Sequence, residues 1–347
     1  AEKVWTSLGI DPLPLERQQV ERSYTGSVTA YNLYLRGRSE MTDRSEDGLR
    51  LAAATFGLAL KEDSNFALAY VGLADALSLL NLYSVSPPND AYPQAKKNVM
   101  SALEIDPNLA EAHATLAYIK FFHDRDRAGS ELEFRRAIQV NPSYAQAHHW
   151  FALTLAAKGE KVDAETEIEI AKRLDPRAAA IRSAAGVVHF HLGDFSKAIA
   201  ESDAAISLDP RSVPAYKVRR WSYTALGDRA NAEAALAKET ELSGGAPDQP
   251  GWKVVQVQVE AIDGNRQELQ RKLDESVKVQ TVGGNPFGFA YEIALSNNAL
   301  GRVESALDWL ERSAAAGGHS FNFSAVDPRL VNLKNEPRYL ALMNKLR

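Results

Sequence analysis

The stretch Ser143–Pro176, SYAQAHHWFALTLAAKGEKVDAETEIEIAKRLDP, has the pattern of two short amphipathic helices joined by a turn at Gly159. The stretch ends in Asp-Pro, because proline cannot continue a helix and disfavours helical angles at the residue before it. Prolines at the same place in successive copies lie 35, 34 and 34 residues apart: Pro107, Pro142, Pro176 and Pro210. A fixed period near 34 residues predicts an array of helical hairpins that stack on one another.

Small and apolar residues occupy the positions where the helices of one hairpin would pack. They recur at offsets of three and four, which is typical of a helix face: Phe151, Ala152 and Leu155 in the first helix, and Ala164, Ile168 and Ala171 in the second. Alanine lets helix backbones approach closely, and other copies repeat it: Ala52, Ala59, Ala95, Ala102, Ala198, Ala205, Ala232 and Ala306. One position between the helices holds glycine, for which we predict the left-handed conformation that ends a helix: Gly159, Gly193, Gly227, Gly264 and Gly301.

Eight copies fill most of the chain, at 30–64, 65–107, 108–142, 143–176, 177–210, 211–244, 249–283 and 284–318. The second copy carries an insert, NLYSVSPPNDAYP, whose prolines predict a loop. The first helix of the seventh copy, WKVVQVQVEAI, alternates like a strand, but we predict a helix because its neighbours need a packed partner. In the last segment, Pro337 begins a predicted helix whose Leu340, Met343 and Leu346 cover the final apolar face. The predicted organisation is a lead-in or linker at 1–29, six repeats at 30–244, two degenerate repeats at 245–318 and a capping segment at 319–347.

Composition excludes several classes of function. The formal net charge is -5 and the pI is about 5.9, which argues against a nucleic-acid-binding surface. The chain has no cysteine, so disulfides, thiolate catalysis and zinc–cysteine sites are excluded. It contains no apolar run near the roughly 20 residues that span a bilayer. It starts at Ala1 without an initiator methionine, so we expect a fragment of a longer protein, cytoplasmic or, alternatively, the periplasmic portion of a membrane-anchored regulator.

The 34-residue pattern resembles the tetratricopeptide repeat, which implies an all-α, right-handed superhelical solenoid of about eight repeats with a C-terminal capping helix. TAYNLYLRGR, NFALAYVGLADAL, AEAHATLAYIKFFHD and VDPRLVNLKNEPRY are also similar to one group of bacterial signalling proteins. Those proteins carry such an array downstream of a winged-helix domain, a Ser/Thr kinase or an adenylate cyclase. The resemblance implies a module for docking or regulation. The group's usual tryptophan near 125–127 is arginine in this chain, which leaves the local packing there open.

The resemblance also implies a binding groove on the concave face, which the first helices of the repeats form. Its positions in this sequence are Tyr118, Phe121, His149, Phe190, Lys217, Trp221, Gln258, Tyr291 and Asn298. Exposed aromatic residues are typical anchors of a partner, although several of these rings could instead pack between repeats. Lys217 and Trp221, one helical turn apart, suit an acidic or carboxylate-bearing peptide. The lysine-asparagine pair with which some relatives hold a C-terminal carboxylate is not present, because Trp221 stands four residues after Lys217.

The sequence offers no catalytic, metal or cofactor signature. It contains no P-loop, GxSxG or HExxH motif. His148 and His149 are adjacent and point about 100° apart on a helix, so they are poorly placed to share a metal ion; core packing is the better interpretation for His113 and His148. Glu165, Glu167 and Glu169 read as a solvated face, and Arg219-Arg220 as a basic pair balanced by acids. We therefore expect a non-enzymatic interaction module that binds a protein or peptide, with a small-molecule sensor as the alternative.

Overall fold

A computed structural model describes residues 25–42, 45–83, 91–282, 289–317 and 319–346, and the helices are the only regular secondary structure in these ranges. The predicted all-α class is confirmed. The α-helices are α1 Val28–Glu40, α2 Glu46–Glu62, α3 Ala67–Tyr83, α4 Ala91–Ile105, α5 Ala110–Ile119, α6 Arg127–Val140, α7 Ala145–Lys158, α8 Lys161–Leu174, α9 Ala179–His191, α10 Phe195–Leu208, α11 Val213–Leu226, α12 Arg229–Leu242, α13 Pro250–Glu260, α14 Arg266–Val282, α15 Ala290–Ala299, α16 Val303–Ala315 and α17 Pro337–Asn344.

Helices α1 to α16 pair in chain order into eight hairpins, and successive hairpins pack side by side to form a solenoid. The strand-like sequence of the seventh hairpin is a helix, α13, as predicted. Its alternating valines are buried on two sides: Val254 and Val257 belong to the C-terminal core, whereas Val255 and Val259 pack with Leu236 of α12. A helix that packs between two neighbouring helices can bury two of its faces. The alternation of valines in this sequence therefore does not indicate a strand.

The stretch Ser143–Pro176 forms α7 and α8, and every residue predicted to lie on their inner faces is buried. Ala164, Ile168 and Ala171 have no exposed surface. The eight alanines predicted at the equivalent positions of other second helices are also fully buried. Side chains of this size let the two helices of each hairpin approach closely, and their burial fixes the register of the whole array.

Four of the five predicted turn glycines are left-handed, and one is not. Gly159, with φ 82°, ends α7 and donates its N–H to the Ala156 carbonyl at 3.0 Å. Gly264 has no left-handed φ, so this part of the prediction is wrong. A side chain at Gly264 would lie 2.5 Å from the Glu260 carbonyl oxygen, so close backbone approach, and not a left-handed φ, explains why glycine stands there.

A polar pair links the two helices within several hairpins at nearly the same repeat position. His148 Nδ1 lies 2.5 Å from Glu167 Oε2, and its Nε2 lies 3.0 Å from the Pro142 carbonyl oxygen. The partners are 19 residues apart in His148–Glu167, Arg182–Glu201 and Arg220–Glu239, and 20 apart in His113–Glu133. His113 and His148 therefore join their helices through hydrogen bonds, and apolar packing alone does not describe them.

The C-terminal helix α17 begins at Pro337 as predicted, but its buried face differs in part. Met343 and Leu346 are buried, whereas Leu340 is 49% exposed. Tyr339 and Leu342 are buried in its place. The residues that start at Tyr339 follow the three-and-four spacing of a helix face, so Leu340 falls on the solvent side.

Some predictions lie outside the described residues. They concern the lead-in before residue 25, most of the insert of the second repeat at 84–90, and the turn-rich break at 283–288. Within the described ranges, none of the helices combines the length and the apolar character needed to cross a membrane.

Candidate functional site

The groove, by which we mean the inner face formed by the first helices of the hairpins, is covered by the chain's own residues 319–333. We call these residues the return segment. It contains two 3-10 turns, His319–Phe323 and Pro328–Leu333. Its contacts reach from Tyr118 of α5, 201 residues earlier in the chain, to Asn298 of α15. The return segment therefore crosses several hairpins instead of extending the array.

Two flat rings of the return segment stack on rings of the groove. The His319 imidazole lies 4.0 Å from the Phe122 ring, centroid to centroid, at an interplanar angle of 13°. Its Nε2 shares a hydrogen bond of 3.0 Å with the Tyr118 hydroxyl. Four residues later, Phe323 stacks on His191 at 4.5 Å and 17°. Offset stacking of this kind adds about 0.5–1.5 kcal/mol per pair beyond the burial of apolar surface.

A π-helical turn, Lys120–Asp124, places Phe122 in the groove. The extra residue in such a turn shifts the following side chains around the helix axis, and Phe121 and Phe122 are both buried. The turn ends at Arg125, a non-glycine residue with a left-handed φ of 57°. The guanidinium of Arg125 donates to the Ala314 carbonyl and lies 5.7 Å from the Phe321 ring. This arginine thus joins the third hairpin to the C-terminal part of the chain.

Further along the return segment, Asp327 and Arg329 form a buried ion pair. The guanidinium donates to both carboxylate oxygens, at 2.9 and 2.7 Å, and the Tyr291 hydroxyl donates to Asp327 Oδ2 at 2.7 Å. Burial alone would raise the pKa of Asp327, but Arg329 and the Tyr291 hydroxyl outweigh it and lower this pKa to about 2. The pair is bidentate, which makes it geometrically specific.

Trp221 lies at the centre of a cluster of cations and rings. The Arg329 guanidinium carbon is 4.6 Å from the Trp221 ring centroid, and the Lys217 ammonium is 5.3 Å from it. Three nitrogen atoms around this ring have no hydrogen-bond partner among the described residues: Trp221 Nε1, His191 Nδ1 and Arg329 Nη1. A buried donor left unsatisfied costs about 1–3 kcal/mol, so the closed arrangement carries an energetic penalty at this point.

The residues predicted from the sequence to line the groove divide into two sets. Five contact the return segment: Tyr118, Phe190, Trp221, Tyr291 and Asn298. The other four are Phe121, His149, Lys217 and Gln258. Phe121 is buried beneath the Arg127 guanidinium, and the Gln258 amide donates a hydrogen bond to Glu292. His149 is buried and Lys217 is half-buried. The structure thus brings five of the nine predicted residues together around one segment of the chain.

Five further residues of this site were not predicted: Phe122, His191, His319, Phe323 and Arg329. Sequence reasoning assigned 319–347 to a cap, which would bury its apolar residues at the end of the array. The signal that could have revealed the return segment is HSFNF, which concentrates three rings in five residues just before the final helix.

The hairpin of two helices recurs every 34 or 35 residues, with glycine at the turn and alanine at the helix contacts. This recurrence decides the fold. The chain has the tetratricopeptide-repeat fold. No protein-family model matches the chain. The human IFIT1 dimer with m7Gppp-AAAA is similar to it at 13% identity and a TM-score of 0.57, over 90% of this chain and 75% of that one. A tetratricopeptide-repeat protein of Thermus thermophilus is 22% identical, with a TM-score of 0.44, over 60% of this chain and 99% of that one.

A curated relative is anaphase-promoting complex subunit 3 of Schizosaccharomyces pombe. It is 25% identical over 156 residues, which cover 45% of this chain and 23% of that protein. The chain therefore matches about a quarter of the length of this relative. At 13% identity, the similarity to the IFIT1 structure reflects the fold alone and shows nothing about the ligand of this chain.

One cluster on the tetratricopeptide-repeat array has a geometry that could suit a metal ion. Donor atoms of Glu169, His189 and Glu201 lie within 4.8 Å of one another. The Lys172 ammonium is 2.7 Å from Glu169 Oε1 and 2.5 Å from Glu201 Oε1, and Arg182 binds the other oxygen of Glu201 at 3.0 Å. Two cations therefore already neutralise the carboxylates, and a metal ion would have to displace Lys172.

The stacked histidines of the tetratricopeptide-repeat groove are held in their neutral form. Burial, together with the nearby charge of Lys217, lowers the pKa of His319 to about 3. Burial also lowers the pKa of His191 to about 4, with Arg329 lowering it and Asp327 opposing the shift. An unfolded histidine has a pKa near 6.5, so protonation opposes the closed arrangement of the return segment.

We expect acidification to destabilise the closed groove. Because the folded pKa values lie below the unfolded value, these histidines contribute stability fully above about pH 6.5 and lose it progressively as the pH falls toward 4 and 3. As the pH is lowered from 7.5 to 5, the free energy of unfolding should fall, for each histidine, by on the order of 1 kcal/mol for every pH unit below 6.5. The melting temperature measured across this range tests the expectation. His319→Phe keeps a stacked ring and removes one titration, so its melting temperature should depend less on pH; an identical pH dependence would contradict the assignment.

Proposed function

We propose that this chain is a non-enzymatic protein-interaction and regulatory module that binds a partner protein or peptide in its groove. The tetratricopeptide-repeat fold serves generally as a protein-interaction module, since stacked hairpins create an extended inner surface. The observation that supports the groove as the binding surface is its present occupant. Rings and polar groups from different hairpins already hold an irregular segment of polypeptide by stacking and side-chain hydrogen bonds.

The regulatory part of the proposal rests on the resemblance to bacterial signalling proteins that join such an array to an upstream effector domain. In that arrangement the array would receive a signal or recruit a partner, and the effector domain would respond. A winged-helix effector would respond by changing transcription. We place this activity in the cytoplasm, with the periplasm as the alternative. The nucleic-acid ligand of the human IFIT1 structure does not transfer to this chain, because 13% identity reflects the fold alone and the net charge of -5 disfavours phosphate binding.

The experiment that tests this function is Trp221→Ala, after a partner has been isolated from source-cell lysate with the purified chain. We expect the substitution to weaken the binding of that partner more than tenfold, because truncation of a central aromatic anchor commonly costs at least about 2 kcal/mol of binding free energy. Lys217→Ala should weaken it less, by an amount that shrinks as salt rises. Isothermal titration calorimetry gives the dissociation constants.

Trp252→Ala is the matched control for this experiment. Trp252 is also half-buried, but it packs in the small apolar cluster with Leu236, which is separate from the cluster that contains Trp221. Circular dichroism should show that both variants are helical. If Trp252→Ala and Trp221→Ala weaken the partner equally, or if the folded Trp221 variant binds as tightly as the parent chain, the groove is not the binding surface.

The second candidate function is small-molecule sensing, which the unsatisfied donors Trp221 Nε1 and Arg329 Nη1 favour. An enclosed aromatic site with donors left over could accept a small carboxylate. Two surface hollows, each of about 400 Å³, lie elsewhere, between α6, α7 and α8 and along α13 and α14. A rise in melting temperature with a carboxylate metabolite, lost in Trp221→Ala, would support sensing.

A further inference from the structure

We infer that the return segment is an exchangeable internal ligand of the groove, and that the groove binds foreign peptides carrying two flat side chains four residues apart. The first flat side chain would occupy the position of His319 and the second that of Phe323. This inference deepens the proposed function and rests on it. It adds that the binding surface is closed in the free protein and that a partner must compete with residues 319–329.

The return segment is held as a docked peptide is held. Most of its backbone hydrogen bonds are local: Ser324 N–H donates to Phe321 at 3.0 Å, and Asp327 N–H donates to Phe323 at 2.9 Å. Its contacts with the groove are made largely by side chains, which stack at His319 and Phe323 and bond at Asp327. A segment whose backbone is satisfied locally can leave a surface without breaking a helix or sheet ladder.

The boundaries of the exchangeable part follow from burial. Leu330 and Leu333 are fully buried in the core that also contains α15, α16 and α17. Phe323, in contrast, packs with the core of the first hairpins, more than 130 residues away in sequence from its other members. Residues beyond 329 therefore anchor the chain in this core, as does Phe321, which is buried in the same core. In contrast, His319 and Phe323 reach across to rings of earlier hairpins.

The internal ligand fits imperfectly at one end, and this favours exchange. Around Trp221 it leaves Trp221 Nε1, His191 Nδ1 and its own Arg329 Nη1 without partners among the described residues. It also places Arg329 over the same ring that the Lys217 ammonium approaches. Lys217 has no carboxylate within 4.0 Å in the part of the chain that the structure describes. A partner with a carboxylate beside Trp221 would satisfy the indole N–H and pair with Lys217.

The test uses the full chain and a fluorescent synthetic peptide with the sequence of residues 319–333, HSFNFSAVDPRLVNL. Phe323→Ala in the chain weakens the internal ligand, while the peptide retains its phenylalanine. Fluorescence anisotropy should show that the Phe323→Ala chain binds the peptide at least ten times more tightly than the parent chain does. A peptide that itself carries the Phe323→Ala change is the matched control, and it should bind at least ten times more weakly.

Equal binding of the two peptides, or no binding to a Phe323→Ala chain that is helical by circular dichroism, would overturn the inference. If the Phe323→Ala chain does not fold, amide hydrogen exchange of the parent chain is the deciding measurement. The amides of residues 320–327 should exchange at least tenfold faster than those at the centre of α9. Equal protection of the two sets would contradict the release of the return segment from the groove. If the variant forms a dimer whose fraction rises with protein concentration, the groove is occupied by a second copy of the chain. That result would overturn the inference that the groove binds foreign peptides. Because this test needs no partner protein, its failure is separable from failure of the Trp221 experiment.

Discussion

Ala171→Asp is expected to destabilise the protein by about 3 kcal/mol or more. Ala171 lies on α8 with no exposed surface, inside the core shared by the first hairpins. An aspartate there would bury a carboxylate without a partner and would also exceed the space left for a methyl group. Since hairpins in an array depend on their neighbours, the damage should extend to α7 and α9. Urea unfolding followed by circular dichroism measures the loss.

Val162→Asp is the matched control, because it introduces the same side chain on the same helix. Val162 is 75% exposed and lies in the first turn of α8, where a negative charge is mildly favourable. Its free energy of unfolding should therefore change by less than about 0.5 kcal/mol. An unchanged unfolding midpoint for Ala171→Asp would show that the packing of α8 differs from the structure.

Arg220→Met is expected to cost about 3–5 kcal/mol. Arg220 is 1% exposed, and its Nε donates to Glu239 Oε2 at 2.7 Å within the sixth hairpin. Methionine fills a similar volume but leaves the Glu239 carboxylate buried without its cation. Arg220 also holds down the pKa of Glu292, which burial would otherwise raise, so a second carboxylate loses support. The free energy of unfolding at pH 7 measures the cost.

The double variant Arg220→Met and Glu239→Leu separates a buried charge from lost packing. Replacing both partners by apolar groups removes the desolvation penalty, so most of the stability should return. The stability of either variant should change little at high salt, because dissolved salt screens buried charges weakly. If the double variant is no more stable than Arg220→Met, the loss comes from packing and the buried pair does not explain it.

The hairpins were predictable from the sequence because the signals that define them are local. Helix periodicity, an Asp-Pro stop and a turn glycine act within a few residues, and alanine marks the contacts between helices of one hairpin. Ala164, Ile168 and Ala171 were placed correctly for this reason. Gly264 was misjudged because glycine serves two purposes, a left-handed φ and close approach of backbone, and only the coordinates separate them.

The polar pairs inside the hairpins were only partly visible. The spacing of 19 residues between Arg220 and Glu239 follows from the repeat, but an arginine in a sequence gives no sign of complete burial. The sequence suggested a balanced basic pair at Arg219 and Arg220. In the structure Arg219 is half-buried beside the exposed Asp203, whereas Arg220 is buried with Glu239.

By itself, the sequence determined the all-α array, the pairing of its helices and the residues that pack within each hairpin. Only the tertiary structure decided what lies in the groove. The Tyr118 and His319 side chains are 201 residues apart, and their meeting depends on the summed rotation of the intervening hairpins. Each rotation is small and leaves no mark on the local pattern of apolar residues. The fold could therefore be read from periodicity, whereas the closure of the groove by residues 319–333 depends on the curvature of the whole array.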